Sequence, residues 1–270
     1  MTQSIMLIKG NHMKKTLFSL GLISTVFCTS TSAADLDRIE VEKRLANADK
    51  NHPADLKRKD LTDINLSNLN FTHADLWGSD LRRSNLNHSN LSGLNLDLSV
   101  LSKVNFSHAD LSKTSIFGVH VGSANLTDAN LSGSRFIGVM DKANLSNANL
   151  SHALWGADMK NQSMGLMRAS LNNANLSGAD LSYANFDRAT MRYANFSHAK
   201  LHNTVLFGVD LSGANFSNAD LSGADLTGTN LEEANFSGAN LEGTRFAGVK
   251  DKSKLKGLNT SKNVDKALID

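Results

Sequence analysis

A leucine or phenylalanine stands at every fifth residue over most of this chain. Leu56, Leu61, Leu66, Phe71, Leu76, Leu81, Leu86 and Leu91 open the series, and the phase holds to Phe136. It resumes at Leu166 or Leu171 and runs to Phe246. Few structures can bury such a series. Five residues turn an α-helix by about 500°, so successive leucines would step ~140° around the axis and face every direction. A straight strand alternates its faces with a period of two, so an odd repeat sends every second leucine outward. What remains is a three-residue strand followed by a corner. Two places before each centre lies a small residue, as at Ala174, Ala179, Ala184, Ala189 and Ala194, which points inward with it. The Asn or Asp between them points out, and the next two residues, mostly polar or glycine, turn the chain.

Phe196, Phe216 and Phe236 are centres twenty residues apart, which selects four sides per coil and places their rings in one column. Coils stacked in this way share one continuous core. At the usual strand spacing of about 4.8 Å, roughly ten coils make a rod approaching 50 Å.

ANLSG, ADLSY, ANFDR, ADLSG and ADLTG resemble the units of the pentapeptide-repeat family. The resemblance covers residues 54–249 and implies an all-β fold, a right-handed quadrilateral β-helix. It implies a scaffold and names no activity. Lys59, Ile64, Leu69, Leu94 and Val104 depart from the pattern, being large where a small residue belongs. An irregular break spans about 137–170: the step from Phe136 to Leu145 is one short, Leu150 to Leu154 is four, and Met159 to Leu166 is seven. These shifts cancel. GVMDK (138–142) and KNQSM (160–164) read as surface loops or a distorted coil, and GVKDK (248–252) marks the end of the regular units.

The open ends of a solenoid need covers. Residues 35–53 read as a capping helix with Asp37 as N-cap followed by Glu40, an apolar face of Val41, Leu45 and Ala48, and Pro53 as its stop. Residues 250–270 form a tail in which Val264, Ala267 and Leu268 suggest a short closing helix. Residues 1–34 read as an export signal: Lys14 and Lys15, an apolar stretch from Leu17 to Cys28, then small residues to Ala33 and Ala34, with Met13 as the effective start. Cys28 follows the bulky Phe27, which does not suit a lipobox. Cleavage removes this one cysteine, so the mature chain has no disulfide in its periplasmic or extracellular destination. It also removes three of 28 basic residues, leaving 25 against 26 acidic ones, a net charge of −1 and no membrane span.

The repeat region holds 18 acidic and 15 basic residues, which suits neither a nucleic-acid binder nor a strongly acidic DNA mimic. No phosphate loop, thiol nucleophile or zinc-protease motif is present in the sequence, so no catalytic residue and no cofactor are assigned. His88, His108 and Asp128 occupy equivalent corners of successive coils and form a weak candidate metal site, the ends of the column being about 10 Å apart. Trp77, Phe117 and Ile137 directly follow centres in a second column, interrupted by Asp97. Trp155 and Phe207 occupy the same place in their own units. The column forms a candidate surface for a protein partner or for self-association. The sequence thus reads as an exported, non-enzymatic binding rod. The alternatives are a topoisomerase-directed DNA mimic, as the resemblance permits for some cytoplasmic members, and an enzyme or metal-binding protein.

Overall fold

The corner is what makes the unit repeat. In the computed structural model, which describes residues 34–157, 167–249 and 254–268, the second residue after almost every centre is left-handed. The φ angle is 55° at Arg58, 56° at His88 and 57° at Asn218. Each turn is closed by a bond back to the centre, as when the Ala184 N–H donates to the Leu181 carbonyl at 3.0 Å. The outward carboxylate or amide accepts from the backbone two residues on: Ser182 N–H donates to Asp180 Oδ1 at 2.9 Å, and Ser197 N–H to Asn195 Oδ1 at 3.1 Å. Both Asn and Asp make this bond, which explains their interchange at that position.

Successive coils pair in parallel twenty residues apart, as Asp60 with Asp80 and Asn195 with Asn215. Four faces result, with their first centres at Leu56 (face one), Leu61 (face two), Leu66 (face three) and Phe71 (face four). Side-chain amides reinforce the stack on face three, where Asn195 donates to Asn175, Asn215 to Asn195 and Asn235 to Asn215 at 3.1–3.2 Å. Centres and alanines together fill one buried core. Where the small position carries a hydroxyl, it bonds a carbonyl: Ser79 Oγ donates to Leu76 O at 2.7 Å and Thr204 Oγ1 to Leu181 O at 2.8 Å. The expected phenylalanine column is present, with Phe196 and Phe216 stacked at 4.9 Å and Phe216 and Phe236 at 5.1 Å. Leu94 and Val104 are buried in the core despite their size, whereas Ile64 and Leu69 lie partly buried against it near the N-terminal end.

Regular strands are short. Strands β1 (Ala54–Asp55) and β2 (Ala74–Asp75) pair with each other, as do β3 (Ser115–His120) and β4 (Arg135–Val139). The second pair runs on through a corner, and its register shifts between Phe117 and Val119. This shift absorbs the missing residue. Of the two readings of GVMDK, the distorted coil holds and the surface loop does not: Gly138 and Val139 belong to β4, and Met140 is a fully buried centre. The second correction concerns Leu154 and Trp155. Leu154 pairs with Arg135 as an outward residue and is 55% exposed, while Trp155 is the centre and is completely buried. Ala153, two places earlier and also buried, is the small residue of that unit. Between this coil and the next, paired positions stand 31 residues apart, as Asn149 with Asp180, before the spacing returns to twenty, so the extra eleven residues enter after Trp155. Met159, KNQSM and Leu166 lie outside the described residues.

Helix α1 (Arg38–Ala46) covers the first coil, with Asp37 Oδ1 accepting from the Glu40 N–H at 2.8 Å and Val41 fully buried. It ends earlier than Pro53 requires, at the C-cap Asn47. The open edge is satisfied polar group by polar group. Asp35 bonds both the N–H and the carbonyl of Asp60, Arg38 donates to the carbonyls of Asn65 and Ser67, and Arg44 donates to that of Asp55. At the other end the expected closing helix is instead a wider coil. Lys256, Lys262 and Leu268 pair with Asn235, Asn240 and Arg245, and the corners are 3-10 turns at Leu258–Thr260 and Val264–Lys266. With one extra residue per side, this tail covers the last coil by continuing its ladder.

Candidate functional site

Face one departs most from the polar exterior of the repeat. Its outward positions, counted by coil, run Asp55, Asp75, Asn95, Ser115, Arg135, Leu154, Asn185, Val205, Asp225 and Arg245. The residue after each centre adds Trp77, Phe117 and Phe207 to the same surface. Leu98, Leu154 and Phe207 are 51%, 55% and 39% exposed. They supply three of the seven large apolar side chains exposed among the described residues, so the concentration on this face is local. Leu98 is doubly unfavourable, since it exposes an isobutyl group and holds φ at 59°, a conformation that costs a side chain about 1–2 kcal/mol. Folding gains nothing from that choice.

The column expected from the sequence is only partly a surface. Trp77 and Phe117 are half-buried, with Arg58 over the Trp77 ring at 4.8 Å and Lys57 at 5.1 Å. Asp97 interrupts them as expected, and holds Phe117 in place by accepting from its N–H at 2.9 Å and from Ser115 Oγ at 2.8 Å. Ile137 is a correction: only 7% of it is exposed, because β4 is drawn in at the bulge. Trp155 is a second, being a core centre whose Nε1 donates to Ser134 Oγ at 3.0 Å. Leu98, Leu154 and Val205 extend the apolar surface beyond the residues that periodicity singled out. Leu98 and Leu154 could have been found by asking where a large apolar residue replaces a corner or outward polar one.

A partly buried acid adjoins this surface. Asp187 Oδ1 is buried without a hydrogen-bond partner, with Arg188 Nε 3.7 Å away. Burial raises its carboxyl above the usual value, against an opposing pull from Arg188. A raised folded-state value means that ionisation destabilises the fold, so its contribution is unfavourable at neutral pH and vanishes as the acid protonates. Asp187→Asn is expected to raise stability by about 1 kcal/mol at pH 7. The gain should shrink toward pH 4 and below, as thermal melts across pH would show.

The histidine column is assembled as expected without becoming a ligand set. His88 and His108 stack at 4.7 Å with planes 4° apart, and His108 Nδ1 is 3.8 Å from Asp128 Oδ2. Parallel rings direct their nitrogens side by side instead of toward a common point. No group of three His, Cys, Asp or Glu among the described residues could hold a metal ion. Nor is any helix among them long and apolar enough to cross a membrane.

The comparisons with known proteins agree with this architecture. The model for pentapeptide repeats matches in eight copies, over residues 54–87, 79–116, 118–161, 169–208 and 210–248. HetL, a pentapeptide repeat protein involved in heterocyst differentiation regulation in the cyanobacterium Nostoc, is 31% identical over 86% of this chain and 99% of its own, with a TM-score of 0.39. A pentapeptide repeat protein from the cyanobacterium Cyanothece is 28% identical over 49% of this chain and 91% of its own, with a TM-score of 0.27. QnrB1, a plasmid-mediated fluoroquinolone resistance protein, is 20% identical over 78% and 93%, with a TM-score of 0.30. No curated protein matches the chain. The repeat units matched from residue 54 to 248, well over half of its length, show that this chain belongs to the pentapeptide-repeat family.

Proposed function

We propose that this protein is an exported, non-enzymatic rod that binds a partner protein through face one. One observation carries the reading: Leu98, Leu154 and Phe207 are exposed at positions where the fold asks only for polar residues or glycine. Burying such side chains against a partner is worth roughly 1.5–3 kcal/mol each, a substantial share of the ~8 kcal/mol of a micromolar contact. Most other candidate groups have structural work. Buried hydroxyls bond carbonyls, amides form ladders, and outward carboxylates close turns. A DNA-mimic role is less well supported, because many acids are neutralised locally: Asp80 by Arg82, Asp63 by Arg83, Asp210 by Arg192 and Glu232 by Lys254. Export rests on the N-terminal sequence, Lys14, Lys15 and the apolar stretch after them.

The test combines capture with the address. The triple variant Leu98→Gly, Leu154→Ser, Phe207→Ser should keep its β-sheet content and melting temperature, since all three side chains are exposed and Gly relieves the left-handed strain at residue 98. It should lose at least tenfold in the affinity of any partner recovered from the periplasmic or secreted fraction. N-terminal mass spectrometry of the native protein should find the chain beginning near Asp35. An unchanged affinity would remove face one from the function, and an intact N-terminus in the cytoplasm would remove export.

A further inference from the structure

The hydrogen-bond ladder of face one is weakened at two places, between coils two and three and between coils five and six. Normally each centre's N–H donates to the outward residue of the next coil, as Leu96 does to Ser115 and Trp155 to Asn185, both at 2.8 Å. No close bond of this kind joins Leu76 to Asn95 or Phe136 in coil five to Leu154 in coil six, although at the second place Leu154 N–H still donates to Ser134 O at 2.8 Å and Arg135 pairs with Leu154. Two glycines flank the second place. A side chain on Gly138 would collide with the Val119 carbonyl of coil four, so glycine lets coils four and five approach closely at that corner. One on Gly156 would come within 2.6 Å of Asn185 Oδ1, so glycine does the same for coils six and seven. Between them lies a cleft of about 280 Å³, walled by Phe117, Ile137 and Leu154, with Phe136 also in its lining and no close backbone bond from Phe136 to Leu154.

Arg135 is the one charged residue lining this cleft, and its guanidinium has no ion pair or hydrogen bond among the described residues. Several other arginines of the fold are engaged: Arg82 with Asp80, Arg83 with Asp63 and Arg192 with Asp210. The cleft therefore offers a free planar cation, an apolar wall, and backbone groups of the kind an extended chain satisfies. We propose that it receives an extended segment of the partner protein, with an acidic residue on Arg135 and an apolar residue against Phe117 and Leu154. This rests on the reading of face one as the binding surface and adds the chemistry of what is bound.

The probe is an acetylated, amidated hexapeptide alternating leucine with glutamate, titrated into the ¹⁵N-labelled full chain and followed by NMR. Its lysine–leucine counterpart is the control. The acidic peptide should shift the amides of Phe136, Ile137 and Gly138, and bind at least tenfold more tightly than the basic one. Arg135→Gln should weaken it by tenfold or more without moving the melting temperature, and Arg135→Lys should restore part of the loss. The proposal is overturned by equal affinity for both peptides, by indifference to Arg135→Gln, or by shifts confined to another face or absent altogether. If the triple variant still abolishes capture of the partner, face one survives that failure. If the peptide binds the cleft while the triple variant captures normally, the wider reading fails instead.

Discussion

Leu181→Asp is expected to lower stability by roughly 3 kcal/mol or more, while Asp180→Asn, one residue away, changes it little. Leu181 is completely buried on face four, between Leu150 of the coil below and Leu201 of the coil above. A carboxylate there would meet only hydrocarbon, so it would either ionise uncompensated or fold as the neutral acid with its donors and acceptors unmet. Asp180 points out, and what the fold uses is its Oδ1, which accepts the Ser182 N–H at 2.9 Å. Asparagine keeps that oxygen. Each coil is stabilised chiefly by its neighbours, so damage at one coil also weakens the stack on both sides. Denaturant melts followed by circular dichroism decide the matter. Similar midpoints for the two variants would refute the assignment of inside and outside.

That assignment was legible from the sequence because the period itself excludes both helix and straight strand. The twenty-residue column was legible for a related reason: Phe196, Phe216 and Phe236 stack only if four sides close a coil, and they do. The N-terminal cap was legible from Asp37 and Val41, since capping is local chemistry. What failed were inferences that depended on neighbours in space. GVMDK could be read as a loop because Met140 stands four residues after Phe136, and nothing local reveals that a bulge against β3 can absorb one residue. The tail looked helical because Val264, Ala267 and Leu268 have helical spacing, yet the unpaired edge of the last coil offers its backbone more bonds as a further coil. Exposure on face one was legible only in part. Ile137 has the same sequence position as Phe117 in its unit, and only the inward pull at the bulge hides it.

Trp155→Ala is expected to cost about 3–5 kcal/mol, and Leu154→Ala no more than ~0.5 kcal/mol. By simple counting of leucines Leu154 would be the centre, and the expected effects would be reversed. Ala153 decides between them, because a small inward residue stands two places before a centre and here that place is Trp155. The indole is fully buried, 4.9 Å from the Phe136 ring and 5.6 Å from that of Phe186. Truncation leaves a large cavity between the Phe136 and Phe186 rings and removes the Nε1 donor from Ser134 Oγ. Phenylalanine at 155 should recover most of the packing and leave a deficit of about 1 kcal/mol for the lost hydrogen bond. Leu154 lies in solvent, so its truncation costs folding almost nothing and should show instead in partner affinity. Chemical denaturation followed by circular dichroism separates these cases. If Leu154→Ala destabilised the fold as much as Trp155→Ala, the register of coil six would be wrong, and the cleft beneath it would go with it.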